Sequence, residues 1–443
     1  MNIVFLYLYL IAAIVIGCLC IRKIKTAADY YVAGRKASTV QITGSLLATI
    51  LGSSAILGSI DFAYAKGWAG AWFMLCGAFG LSILFFLVKP LAKFKGYNLP
   101  ALLGSFYGDG VKKLSGGVIA IAWLGVIAAQ IIGAAKITTA VINISYPHAA
   151  LAIGLTLTFY TALGGQLSII KTDILQVILI IAGLVFVTIA SLMGSHCAAI
   201  DAAPMISEKF SWMDLVIMLF TYSSTYVVGP DIYSRLFCAK DEKIARKAIV
   251  ASVSLLVPIA FMLAFIGIHG AKFHADGSES VFFVIIKHEF PLFIVPLYFC
   301  ILSAIMSSAD TTLFTAAELL SQFAHDELDS KKSVRLTMAC TFLLGVLSIL
   351  IALKFNSILK VLLMSLGTYA GAFVIPAVWG LLGQKSRRPF VVAAIIVGGS
   401  MTLLGKFLSG NAGHAVILLA FAVNLALLGL GRTRPRPTAD HEP

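Results

Sequence analysis

Apolar runs of about 18 residues or more, enough to cross roughly 30 Å of hydrocarbon, recur along almost the whole chain of 443 residues. In that solvent every backbone N–H and C=O must find its partner within the protein, which leaves bundled helices or a closed barrel. Barrel strands would alternate in polarity over about ten residues, and these runs do not. The chain reads as an all-α polytopic membrane protein. Only 12% of its residues are charged, against about 25% in a soluble domain.

Thirteen transmembrane helices are expected, at 3–21, 41–65, 70–92, 116–143, 147–163, 168–193, 211–234, 247–270, 291–320, 334–353, 357–382, 389–408 and 412–431. Lys and Arg in the short loops orient them. With the N-terminus outside, the segments 22–40, 88–115, 164–171, 235–247, 322–335, 385–388 and 432–436 face the cytoplasm and hold 25 of the 33 basic residues. Lys66, Lys209, Lys272, Lys287, Lys354 and Lys406 fall on the other side. The expected location is a plasma membrane, the cytoplasmic membrane of a prokaryote, with the C-terminus inside. Exposure to the bilayer and this loop bias account for a net charge of +13, so nucleic acid is not needed as a partner. The N-terminal MNIVFLYLYL lacks a basic n-region and reads as a retained helix. The loops are too short for a soluble catalytic domain, and the seven cysteines and eight histidines show no metal-ligand spacing. An enzyme is not expected.

The segment 303–314, SAIMSSADTTLF, is the most polar stretch within a span. On a helix, Ala304, Ser307, Ser308 and Thr311 share one stripe, with Asp310 at its edge. Small hydroxylated residues serve close helix packing equally well, but an acid at membrane depth marks a functional candidate. Hard oxygens without sulfur or imidazole suit a hard cation such as sodium. Freed carbonyls would supply the remaining ligands where another helix breaks. Gly52-Ser53-Ser54 in the second span and Gly229-Pro230 in the seventh have the composition of such breaks. Two interrupted helices in corresponding positions point to an inverted-repeat transporter. Asp173, in GGQLSIIKTDILQ, is either a further site residue or an acid placed at a helix start by the dipole.

These stretches resemble the motifs of the sodium:solute symporters. SAIMSSADTTL resembles the family's S-A-x-M-S-[ST]-x-D-[ST]-x-L. GGQLSIIKTDILQ resembles its G-G-x-x-A-V-x-x-T-D-x-x-Q, and ADYYVAGRKAS its D-[YF]-x-x-A-G-R. GPDIYSRLFCAKDEKIARKA resembles the segment that ends its seventh span. The resemblance implies a LeuT-like core of five plus five inverted helices at 41–382. Around it lie an extra N-terminal helix in 1–25, two C-terminal helices in 388–431 and a cytoplasmic tail at 432–443. It implies sodium held by the carbonyls of Ala48, Leu51 and Ala304 and the hydroxyls of Ser307 and Ser308. It also implies, as in some members, a second sodium at Ser307, Asp310, Thr311 and Asp173. Two departures stand out: Ala317 and Glu318 replace a serine pair, and Gly52 replaces a common serine.

The implied activity is sodium-coupled import of a small organic solute by alternating access, with sodium ions, solute and lipid as partners. The pocket is expected at Ser53, Ser54, Ala55, Gln130, Tyr222, Ser223, Tyr226, Ser365, Thr368 and Tyr369. Gln130 and the tyrosines serve equally as packing residues. Ile50, Ser54 and Ala55 fall where the sugar-carrying branch makes polar contacts, which disfavours a sugar. An amino acid or a short monocarboxylate fits better. A solute-sensing membrane module with little transport and a passive channel remain alternatives; ion-dependent accumulation separates them from a symporter.

Overall fold

The computed structural model describes residues 3–94, 96–193, 203–273, 280–324, 330–354, 358–408 and 410–433. The expected tail beyond 433 lies outside them. Helix α1 (Ile3–Ile21) is apolar throughout and packs on α8. The short α2 (Ala27–Val32) opens with a capping box. Asp29 N donates to Thr26 Oγ1 (3.2 Å), and Thr26 N donates to Asp29 Oδ2 (2.9 Å). Ala33, Gly34 and Arg35 then follow in the left-handed region.

The second span is two helices, α3 (Thr39–Ile50) and α4 (Ser53–Lys66), separated at Leu51 (φ −80°, ψ 41°) and Gly52 (φ −63°, ψ 162°). Next come α5 (Trp72–Ala92), the short α6 (Leu99–Tyr107), α7 (Asp109–Val141) and the 48-residue α8 (Tyr146–Met193), bent at Gly165. The seventh span is built in pieces. These are α9 (Trp212–Met218), a π-helical turn at Leu219–Ser223, α10 (Ser224–Val227) and, after a break at Val228–Gly229, α11 (Pro230–Phe237). It leads into α12 (Glu242–His269), a short α13 (Val281–Glu289), α14 (Ile294–Ala324), α15 (Lys331–Lys354), α16 (Ile358–Leu381), α17 (Arg388–Phe407) and α18 (Gly410–Leu430). Helix α14 packs on α3, α4, α7, α8, α11 and α15 and forms the wall they share.

Ten helical stretches among the described residues are long and apolar enough to span a membrane, fewer than the thirteen expected. Two of them, Ala55–Ala92 and Tyr146–Met193, each run across two expected spans, joined through sharp turns at Gly67 (φ 67°, ψ −140°) and Gly165 (φ 50°, ψ −149°) with helix directly on either side. The eleventh expected span is α16, Ile358–Leu381. The class is as the sequence implies: a multi-pass helical membrane protein.

Asp61 ties α4 to α13. Its Oδ1 accepts from Val281 N (2.9 Å) and Ser280 Oγ (2.8 Å), capping α13 from α4. A half-buried carboxylate is well served by two donors at a helix N-terminus. Lys66 lies instead over the Phe62 ring, at 4.9 Å.

The bend of α8 depends on glycine. Gly165 has φ 50° and ψ −149°, and a Cβ there would come within 2.6 Å of the Tyr30 ring. Tyr30 fills this space, and its hydroxyl donates to Ala162 O (2.9 Å), a carbonyl near the bend. Gly165→Ala is expected to cost about 2 kcal/mol or more from left-handed strain and overpacking, read as a lowered melting temperature of the detergent-purified protein.

Candidate functional site

The break of the second span faces the middle of α14. Ser307, fully buried, donates its hydroxyl to Ala48 O (2.8 Å) and to Ala304 O (3.1 Å). The Ser308 hydroxyl reaches Thr49 O at 3.5 Å. Gly52 is needed here for room, since a Cβ would collide with Ser308 Oγ. Ala48, Leu51, Ala304, Ser307 and Ser308, scattered over 260 residues of sequence, thus meet where α3 ends against α14. Among the described residues no His, Cys, Asp and Glu group could hold a metal, so the oxygens at this junction are carbonyls and hydroxyls.

One turn further along α14 the acids converge. Asp310 Oδ2 accepts from the Tyr160 hydroxyl (2.8 Å), and Asp310 Oδ1 accepts from Thr311 Oγ1 (3.2 Å). Asp173 accepts from the Ser45 hydroxyl and from Arg235 Nη2 (3.1 Å), and Arg235 Nη2 also donates to Thr311 Oγ1. All of Asp173, Asp310 and Arg235 are fully buried. Among the described residues one guanidinium stands against both acids, bonded to Asp173 directly and linked to Asp310 through Thr311. Among the described residues Asp173 Oδ1 receives no hydrogen bond.

Arg235 corrects the sequence reading, which counted it with the cytoplasmic loop cations. It lies on α11, inside the bundle, because the seventh span extends beyond 234 to Phe237. The signal was present: an arginine two residues after a tyrosine, with Leu236 and Phe237 following before the loop cations begin at Lys240. What the sequence could not give was its partner, 62 residues earlier. Tyr160 and Ser45 were missed for the same reason.

The expected pocket residues separate into groups. Ala55 is buried at the start of α4; the side chains of Ser53, Ser54, Ser365 and Thr368 lie outside what the structure describes. Gln130 is buried on α7. Tyr222 and Tyr226 stand together, with Tyr226 OH donating to Tyr222 OH (3.1 Å), and pack on Phe73 and Gly77. Ser223 Oγ is buried beside them. Tyr369 donates to Val228 O (2.6 Å), closing the break of the seventh span, while its ring lies 5.3 Å from Trp123. Trp123 Nε1 in turn donates to Asp231 Oδ1 (3.2 Å).

A bundle in which two broken spans meet a hydroxyl-lined helix at membrane depth is the design of a secondary transporter, with the binding sites at the breaks. The chain matches the sodium:solute symporter family over residues 30–398 and belongs to it. It is 22% identical to the sodium/pantothenate symporter of Escherichia coli, over 88% of this chain and 87% of that one. It is 23% identical to sodium/proline symporter 2 of Staphylococcus saprophyticus, over 67% and 62%. Among solved structures it is similar to a sodium-coupled sialic acid symporter in its substrate-bound, outward-open state. There the TM-score is 0.82 at 17% identity, covering 97% of each chain. Mhp1, a nucleobase-cation-symport-1 family transporter, gives a TM-score of 0.60. The fold is the LeuT-like one implied by the motifs.

Removing one partner of a buried ion pair strands the other charge, at about 3–5 kcal/mol. Arg235→Gln is therefore expected to lower the melting temperature strongly, and the double variant Arg235→Gln with Asp173→Asn to recover most of the loss.

Proposed function

We propose that this symporter imports a small carboxylate-bearing solute together with sodium, from an outside that faces the N-terminus to the cytoplasm. The hydrogen bond from Ser307 on α14 to the Ala48 carbonyl at the break of α3 carries this reading. It puts two helices in reach of one small ion. Sodium bound there takes the carbonyls of Ala48, Leu51 and Ala304 and turns the lone pairs of Ser307 and Ser308 toward itself, since a hydroxyl accepts as readily as it donates.

The solute class follows from the break. The N–H groups of Ser53 and Ser54 precede the first helical bonds of α4, which Ala55 N and Ile56 N make to Gly52 O, and such leading N–H groups favour an anion. The relatives named for pantothenate and proline carry solutes with a carboxylate, in line with this. Ala55, Gln130 and the Tyr222–Tyr226 pair flank the site, with Ser53, Ser54, Ser223, Ser365, Thr368 and Tyr369 completing the proposed lining. An aliphatic amino acid or a short monocarboxylate suits it.

The oxygens of Asp173 and Asp310, with Ser307 and Thr311 as neighbours, are proposed to take a second sodium. Asp310→Asn then lowers the steepness of uptake against sodium concentration. A steepness of one in the parent protein removes this second site.

A first test needs no solute. Sodium, compared with potassium at equal ionic strength, should raise the melting temperature of the purified protein, because a ligand that binds only the folded state stabilises it. Ser307→Ala and Ser308→Ala should each shift that response to higher sodium. Equal stabilisation by potassium, or unshifted responses in both variants, defeats the site. A screen of carboxylates with and without sodium then identifies the solute. Sodium and solute should tighten each other's binding by one common factor, about 5–150-fold. Solute affinity indifferent to sodium would favour the sensor or channel reading.

A further inference from the structure

Glu318 is one of the two departures from the family motif, and the site above does not use it. It lies on α14 seven residues past Thr311, so on the same face and about 10 Å nearer the basic loops. Phe314, fully buried and packed on the Tyr30 and Tyr31 rings, sits between them. Glu318 is 2% exposed. Its Oε1 accepts from Asn98 Nδ2 at 2.6 Å, while Asn98 Oδ1 accepts from Ala101 N (2.9 Å) and caps α6. One side chain thus joins the N-terminus of α6 to α14. The far end of α6 is held separately, by Tyr107 donating to Pro376 O (2.8 Å) on α16.

Among the described residues no cation reaches Glu318. The titratable groups facing it are the phenols of Tyr30 and Tyr31 from α2 and the Cys238 thiol after α11. Arg235 and Arg35 face Cys238; Arg235 pairs with Asp173, and Arg35 donates to Gly96 O (2.8 Å). Cys340 of α15 faces Tyr30. Helices α7 and α8 also pack on α14, yet among the described residues no ion pair reaches Glu318. Sodium is poorly served, because the amide oxygen of Asn98 is spent on the cap. The neighbouring hydroxyls of Ser321, Thr337 and Tyr31 bond one another.

We propose that Glu318 is a proton-binding group whose neutral form holds the Asn98 end of α6 against α14 and keeps the basic-loop side shut. An ionised carboxylate buried with one amide donor and no cation is costly, and parting α6 from α14 admits the water that relieves it. The proton leaves to that water. Opening therefore releases a proton, and alkalinity favours opening. For transport, which rests on the symporter reading, this makes sodium and solute release depend on pH at the cytoplasmic face.

The test is hydrogen exchange of the α6 amides, 99–107, in the purified protein across pH, corrected for the intrinsic rate. It needs neither sodium nor solute, so it stands or falls apart from the transport reading. In the parent protein the opening equilibrium should rise with pH, by up to about tenfold per unit for one proton. Glu318→Gln keeps an oxygen for Asn98 but cannot ionise, and should stay protected at every pH. Glu318→Ala lacks the bond and should exchange fast at every pH, which serves if the Gln variant does not fold. A flat parent profile, or a variant that keeps the parent's slope, overturns the proposal.

Discussion

Hydrocarbon cannot hydrogen-bond a carbonyl that a broken helix has released, so each interruption in this bundle must be met by a side chain from elsewhere. The three described breaks are met in three ways. At Leu51–Gly52, the serines of α14 reach Ala48 and Thr49. At Gly165, Tyr30 reaches Ala162. At Val228–Gly229, Tyr233 takes the Val227 carbonyl (3.0 Å) and Tyr369 the Val228 carbonyl. Each donor is a hydroxyl on a different element from the break or a turn away from it. The breaks are therefore also the joints at which separate elements are held together.

Helix α14 gains its central place from this requirement. It carries small or hydroxylated residues where α3 stops, acids and Thr311 where α8 and α11 approach, and Glu318 where α6 is capped. Polar contacts are thus laid out along α14 from the break of α3 toward the basic loops. The charges among them are costly to bury and are held by multiple donors, so their arrangement is specified more by geometry than by net attraction.

The breaks were legible in the sequence because their causes are local. Gly52 beside two serines, Gly164-Gly165, and Gly229-Pro230 each interrupt an apolar run. The oxygen stripe of 303–314 was legible for the same reason: helical spacing puts Ser307 and Thr311 on one face without any knowledge of neighbours. What could not be read was pairing at a distance. Arg235 follows a polar turn near the end of a span and looks like any cytoplasmic anchor until Asp173, Thr311 and Ser45 are brought around it. Tyr369 looks like a pocket residue, and its bond to Val228 spans 141 positions. The boundaries expected between the second and third spans and between the fifth and sixth fall at the turns of Gly67–Ala71 and Gly165, where helix follows helix directly.

Gly52 and Ser308 occupy the same small volume from opposite helices. A hydroxyl can be afforded from one side or the other at full length, but not from both without displacement. Where relatives carry serine at the first position, the partner across from it has to yield, by rotating or by shrinking. In this chain the missing side chain at 52 leaves the Ser308 hydroxyl its place beside the break. This chain keeps that oxygen on the unbroken helix, whose backbone holds its direction.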